Sequence, residues 1–99
     1  MTIRASFYPG RGANQVVTPG AASAEVTIDP KAKSVRLVNS GANICHVRVG
    51  IGGQTATTAD TPIRSGSEII LSKGEGEGNV AYISAAGTTL HIQPGEGGV

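Results

Sequence analysis

Ninety-nine residues with 15 glycines, five prolines and an apolar supply drawn mostly from Val and Ile amount to one domain of β-structure, with too many breakers for a helical one. A net charge of +1 with acids and bases interspersed excludes a basic, aromatic-interleaved nucleic-acid surface, and no apolar run approaches the roughly 20 residues of a membrane helix. The lone cysteine, Cys45, excludes an internal disulfide framework. Because Met1 to Arg11 also lacks the apolar centre of a signal peptide, the expectation is a chain that folds in a reducing cytoplasm.

Strand-like runs follow one another at short spacing. Thr2–Tyr8 is the first, closed by Pro9-Gly10-Arg11-Gly12, although Met1–Gly12 could instead be an arm reaching a neighbouring subunit. Asn14–Thr18 precedes a Pro19-Gly20 turn, and Glu25–Ile28 is closed by Asp29-Pro30. Ser34–Asn39 and Ile44–Val49 flank Ser40-Gly41-Ala42-Asn43, which reads as a hairpin connection. Gln54 to Thr61, rich in Thr and Ala, reads as an edge strand or an ordered loop. Ile69–Lys73 is followed by the glycine-rich loop Gly74–Gly78. Asn79–Ser84 and Thr88–Gln93 read as a last hairpin, with residues 94–99 as a Gly-rich tail. About seven to nine short strands separated by turn chemistry predict a single all-β domain over residues 1–99, a small β-sandwich of Greek-key or jelly-roll type.

One internal similarity goes beyond composition. Ser34 to Gly50 (SVRLVNSGANICHVRVG) lies over Asn79 to Gly95 (NVAYISAAGTTLHIQPG) without a gap, at an offset of 45 residues. Each copy is strand, small polar turn, strand, glycine. Alternation along these strands places Val35, Leu37, Cys45, Val47, Val49, Val80, Tyr82, Leu90 and Ile92 on the core side. Arg36, His46, Arg48, His91 and Gln93 fall on the outer side. Val38, Ile44 and Ile83 fall there too, as scattered surface residues or as a partner contact.

No set of residues composes a catalytic, metal or cofactor site. His46 and His91 occupy equivalent outward positions, but no Cys or carboxylate stands at ligand spacing from either, so solvated surface histidines are the simpler reading. Glu75 and Glu77 lack the acid-rich loop of a calcium site and the apolar pocket of an acid/base dyad, and read as part of a flexible solvated loop. Cys45 lies in an apolar strand, which suits a small core residue rather than a nucleophile. Gly10-Arg11-Gly12 and Ile51-Gly52-Gly53 lack the strand–loop–helix setting of a phosphate cradle, and Arg64-Ser65-Gly66 reads as a turn. The expectation is a protein that is not an enzyme and needs no cofactor.

The segment Pro62 to Val99 resembles the C-terminal half of short virion proteins of tailed bacteriophages, of the capsid decoration or cement kind. The resemblance rests on Ile69–Leu71, Ala81–Ala85 and the ending Leu90–Gly97. Leu37-Val38-Asn39-Ser40-Gly41 is similar to a hairpin of the same proteins. The likeness covers about two-thirds of the chain, and its motifs are strand and turn patterns. It implies a β-sandwich without catalytic residues or cofactor, assembled in many copies in the virion. The expected partners are the major capsid protein and further copies of the chain, as a homotrimer or another homo-oligomer, with neither nucleic acid nor membrane. A tail, adaptor or fibre component and a carbohydrate-binding module on the host surface are the alternatives. The latter is weakened by an aromatic supply of only Phe7, Tyr8 and Tyr82.

Overall fold

Short runs rich in β-branched residues form the strands of the computed structural model, which describes residue 7, residues 13–74 and residues 76–97. The strands are β1 (Gln15–Val17), β2 (Ala24–Thr27), β3 (Ser34–Asn39), β4 (Cys45–Gly50), β5 (Thr61–Ile63), β6 (Glu68–Ser72), β7 (Asn79–Ile83) and β8 (Leu90–Gly95). No described residue is helical. The expected strand Thr2–Tyr8 and the possible arm Met1–Gly12 lie outside the described residues, apart from Phe7, which is half-buried.

Two four-stranded antiparallel sheets result, ordered β1-β8-β3-β6 and β2-β7-β4-β5. Each sheet interleaves strands from both ends of the chain, the strand order of an eight-stranded jelly roll. This order corrects the expected hairpins. β3 and β4 lie in different sheets, as do β7 and β8. Ser40-Gly41-Ala42-Asn43 and residues 84–89 are therefore arches that carry the chain from one sheet to the other. Residues 54–60 form a loop, one of the two readings of Gln54 to Thr61, and the strand Thr61–Ile63 that follows was not expected. β8 continues through Pro94 and Gly95, both buried, where a tail was expected. Lys33 N–H donates to Gly95 O at 3.1 Å and Ser34 Oγ to Gly97 O at 3.0 Å, so residues 94–97 are held against the sheet.

The 45-residue repeat is a property of the whole fold. Val35 faces Pro94 across β3–β8, and exchanging the two halves at that spacing gives Val80 facing Val49, the observed β4–β7 register. The same exchange carries Val26 facing Val80 in β2–β7 onto Leu71 facing Val35 in β6–β3. β1 and β5 correspond with one residue more, Val17 facing Leu90 answering to Ile63 facing Cys45. Two four-stranded units, β1–β4 and β5–β8, are thus intertwined about a pseudo-two-fold axis, and each supplies half of both sheets.

The core lies between the sheets. Val35, Leu37, Leu90 and Ile92 from one sheet meet Cys45, Val47, Ile63, Val80 and Tyr82 from the other, with Ile28 at one end. Each fully buried aliphatic side chain contributes about 1.5–3 kcal/mol relative to exposure. Of the expected core, Val49 alone is only half-buried, packing at the rim with Val17, Val26, Ile69 and Leu71.

Candidate functional site

The expected site residues are dispersed by the topology. His46 sits on β4 and His91 on β8, and each side chain is on the outer face of its own sheet. With sheets packing about 10 Å apart, a whole sandwich separates the two imidazoles. His91 Nε2 lies 3.0 Å from Ser40 Oγ. His46 Nδ1 is buried without a hydrogen-bond partner, its register neighbours being Ile83 and Pro62. Among the described residues no group of three or more His, Cys, Asp or Glu side chains is placed to hold a metal ion.

Cys45 is fully buried in the core between the sheets, and loss of solvation pushes its thiol from 9.0 up to about 11. That environment suppresses the thiolate. Glu75 lies outside the described residues. Glu77 closes its own loop: its carboxylate accepts from Gly74 N–H, and its N–H donates to Gly74 O at 3.2 Å. Gly76 N–H adds a bond to Pro30 O at 3.0 Å, and Lys73 Nζ another at 3.1 Å, so this segment is anchored where a loose loop was expected. Arg64-Ser65-Gly66 turns the chain as expected, with Ser67 N–H bonded to Arg64 O at 3.0 Å and Gly66 at φ 75°.

The two outer sheet faces differ sharply. Residues 51–60 fold over the face of β2-β7-β4-β5. Gln54 N–H donates to Glu25 at 2.8 Å, Arg48 Nε donates to Gln54 Oε1 at 2.9 Å, and Ala56 N–H donates to Ser23 Oγ at 2.8 Å. Asp60 anchors the end of this strap. Its carboxyl is held below the ordinary range, chiefly by the Thr57 backbone N–H and, more weakly, by the Arg48 guanidinium. Beneath the strap lies Ala81, fully buried although its position in the alternation points outward, in register between Glu25 and Arg48. Sequence alternation gave no sign of this cover. The only hint was the small side chain of Ala81 in a strand otherwise built of large ones.

The face of β1-β8-β3-β6 carries no such strap among the described residues. Val16, 62% exposed, stands in register with His91, then Val38, then Glu68. Arg36 bridges Glu68 and Gln93 beside the half-buried Ile70. The Arg36–Glu68 pair is partly solvated and adds little stability. The outer residues Arg36, Val38, His91 and Gln93 therefore form a mixed apolar and polar surface.

A polar cluster joins the two arches at one end of the sandwich. Asn39, fully buried, donates from Nδ2 to Asn43 O at 2.7 Å and Ile63 O at 2.9 Å. Its Oδ1 accepts from Thr88 Oγ1 at 2.6 Å and Gly41 N–H at 3.2 Å. Asn43 Nδ2 reaches Gly87 O at 2.8 Å, and Ser84 Oγ reaches Ile44 O at 2.8 Å. Asn39 and Ser84 are equivalent positions of the repeat, so each half marks its arch with a buried polar residue. This cluster is structural: its atoms bond one another. Comparison with known proteins finds no family model that matches the chain and no matching curated protein.

Proposed function

We propose that this domain is a structural virion protein of a tailed phage that decorates and stabilises the capsid exterior through protein–protein contacts. It acts without catalysis or cofactor. The observation that supports this reading is that the segments carrying the resemblance, Ile69–Leu71, Ala81–Ala85 and Leu90–Gly97, lie mainly on β6, β7 and β8 of a jelly roll. That architecture recurs in viral coat domains and in lectins. Of those two uses, sugar binding draws on exposed aromatic rings, and Tyr82 is committed to the core. A mixed sheet face that carries no strap among the described residues, beside a rigid core, suits a cementing role. One small domain offers limited surface, and a specific interface buries about 800 Å² per partner. Association of several copies, as a homotrimer or another homo-oligomer, raises the effective affinity for a repeating lattice.

Under this proposal the major capsid protein is the partner and the virion is where the protein works, after synthesis in the host cytoplasm. Purified protein added to expanded heads that lack it is expected to bind saturably at symmetry-related positions and to raise their resistance to heat. Failure to bind heads, with labelling of the neck or tail instead, would transfer the protein to the tail, adaptor or fibre class.

A further inference from the structure

We infer that β6 is a docking edge for a second copy of this chain, paired antiparallel about a two-fold axis at Ile70. The inference specifies the self-association invoked above, yet it rests on the chemistry of the edge alone and is tested off the particle.

Among the described residues the sandwich has four edge strands, β1 and β6 in one sheet and β2 and β5 in the other. An open edge is a template for strand addition unless it is short, blocked or covered. β1 and β5 have three residues each, and β5 contains Pro62, which has no N–H to donate. β2 is the pseudo-symmetric counterpart of β6, and it is blocked. The Thr27 carbonyl on its outward side already accepts Gln15 Nε2 at 2.7 Å, and Glu25 is engaged by the strap at Gln54. β6 is the longest of the four, reads Glu-Ile-Ile-Leu-Ser, and has no such device among the described residues.

The register identifies which backbone groups are available. Asn39 N–H donates to Ser67 O and Lys73 N–H to Lys33 O, one at each end of the β3–β6 ladder. Hydrogen-bonded positions alternate along an antiparallel pair, so Ile69 and Leu71 turn their backbone groups to β3. Glu68, Ile70 and Ser72 turn theirs outward. A second β6 laid antiparallel with Ile70 opposite the partner's Ile70 sets Glu68 opposite the partner's Ser72, and Ser72 opposite the partner's Glu68. Both backbone bonds then close at each of these positions.

The side chains agree with this register on both faces. On the inner side the half-buried Ile69 meets the partner's Leu71, extending the rim of the core. On the outer side Ile70 meets its own copy, and no like charges stand opposite one another, since Glu68 faces a serine and keeps Arg36 beside it. The edge is thus complementary to itself, the condition for a two-fold interface. The product is one continuous sheet through two sandwiches, a dimer rather than a trimer.

Sedimentation equilibrium on the full-length protein over a range of concentrations tests this. The wild type is expected to show a reversible monomer–dimer equilibrium. Ile70→Pro removes an outward N–H without breaking the β3–β6 ladder, and Ile70→Lys places two cations on the axis. Because the axis counts each change twice, both variants should weaken dimerisation by about tenfold or more. Val16→Lys, on the opposite edge strand, should leave it unchanged. If Ile70→Pro loses its β-sheet circular dichroism, Ile70→Lys decides. A wild type that stays monomeric, a trimer, or a dimer indifferent to Ile70→Lys would overturn the inference. So would a dimer that forms only after residues 1–12 are removed, which would give the edge to the chain's own N-terminal segment.

Discussion

Asn39 enters the core as an amide with both donors and both acceptors of its side chain engaged. A buried polar residue fully satisfied in this way helps to specify one structure. Asn39→Leu would strand the Asn43 and Ile63 carbonyls and the Gly41 N–H, so urea titration should report a loss of about 3–5 kcal/mol. Gly41 beside it is required for a different reason. A Cβ there would stand 2.1 Å from Thr88 Oγ1 and 2.5 Å from Thr89 N, and the second of these is backbone that cannot step aside. Gly41→Ala should therefore cost about 1–3 kcal/mol by overpacking. The Asn and Gly of Leu37-Val38-Asn39-Ser40-Gly41 were legible as a turn signal. Their partners in the second arch were not, because those lie more than 40 residues away.

Cys45 gives the residue scale its pH dependence. In the unfolded chain the thiol ionises near 9.0, and in the folded core only near about 11. The stability tied to the protonated buried thiol is complete below the lower value and is lost as the pH rises through the higher one. Two pH units correspond to about 3 kcal/mol. Unfolding free energy should fall by roughly that amount across this alkaline window in the wild type, and this component of the slope should vanish in Cys45→Ala. A slope identical in both proteins would contradict the burial of the thiol. Cys45 was legible as a core residue because its neighbours in the alternation, Val47 and Val49, left no other side for it.

Among the elements, β3, β4, β7 and β8 were readable nearly to their ends from β-branched alternation. Their pairing was not readable. A strand, four small or polar residues and another strand describes a hairpin and an arch equally well. Long-range contacts between Gly41 and Thr88-Thr89 decide for the arch. The short β5 was not readable, and Gln54 to Thr61 was readable only as an edge strand or an ordered loop, since the order of the strap comes from Arg48, Glu25 and Ser23 rather than from local propensity. The arch assignment has a measurable consequence. It puts His46 and His91 on opposite outer faces, so a site joining them cannot form within one chain. Treatment with a chelator should leave the thermal midpoint of the purified protein unchanged, and a fall of many degrees would require a metal site that this topology does not bring together.

At the scale of the whole molecule, the internal repeat visible between Ser34–Gly50 and Asn79–Gly95 extends through the complete jelly roll. Its two sheets differ, among the described residues, in their edges and outer faces. One sheet is strapped by residues 51–60 and blocked at β2 by Gln15, whereas the other presents Val16, Val38, Ile70 and His91 and, among the described residues, a β6 without such a block. The direct test of the decoration reading is the copy number and position of this chain in the intact particle, by quantitative mass spectrometry and cryo-electron microscopy. The account predicts copies in fixed proportion to the major capsid protein, seated on the outer surface of the head at symmetry-related sites. Only the few copies of a tail ring or spike, with bare capsid lattice, would contradict it.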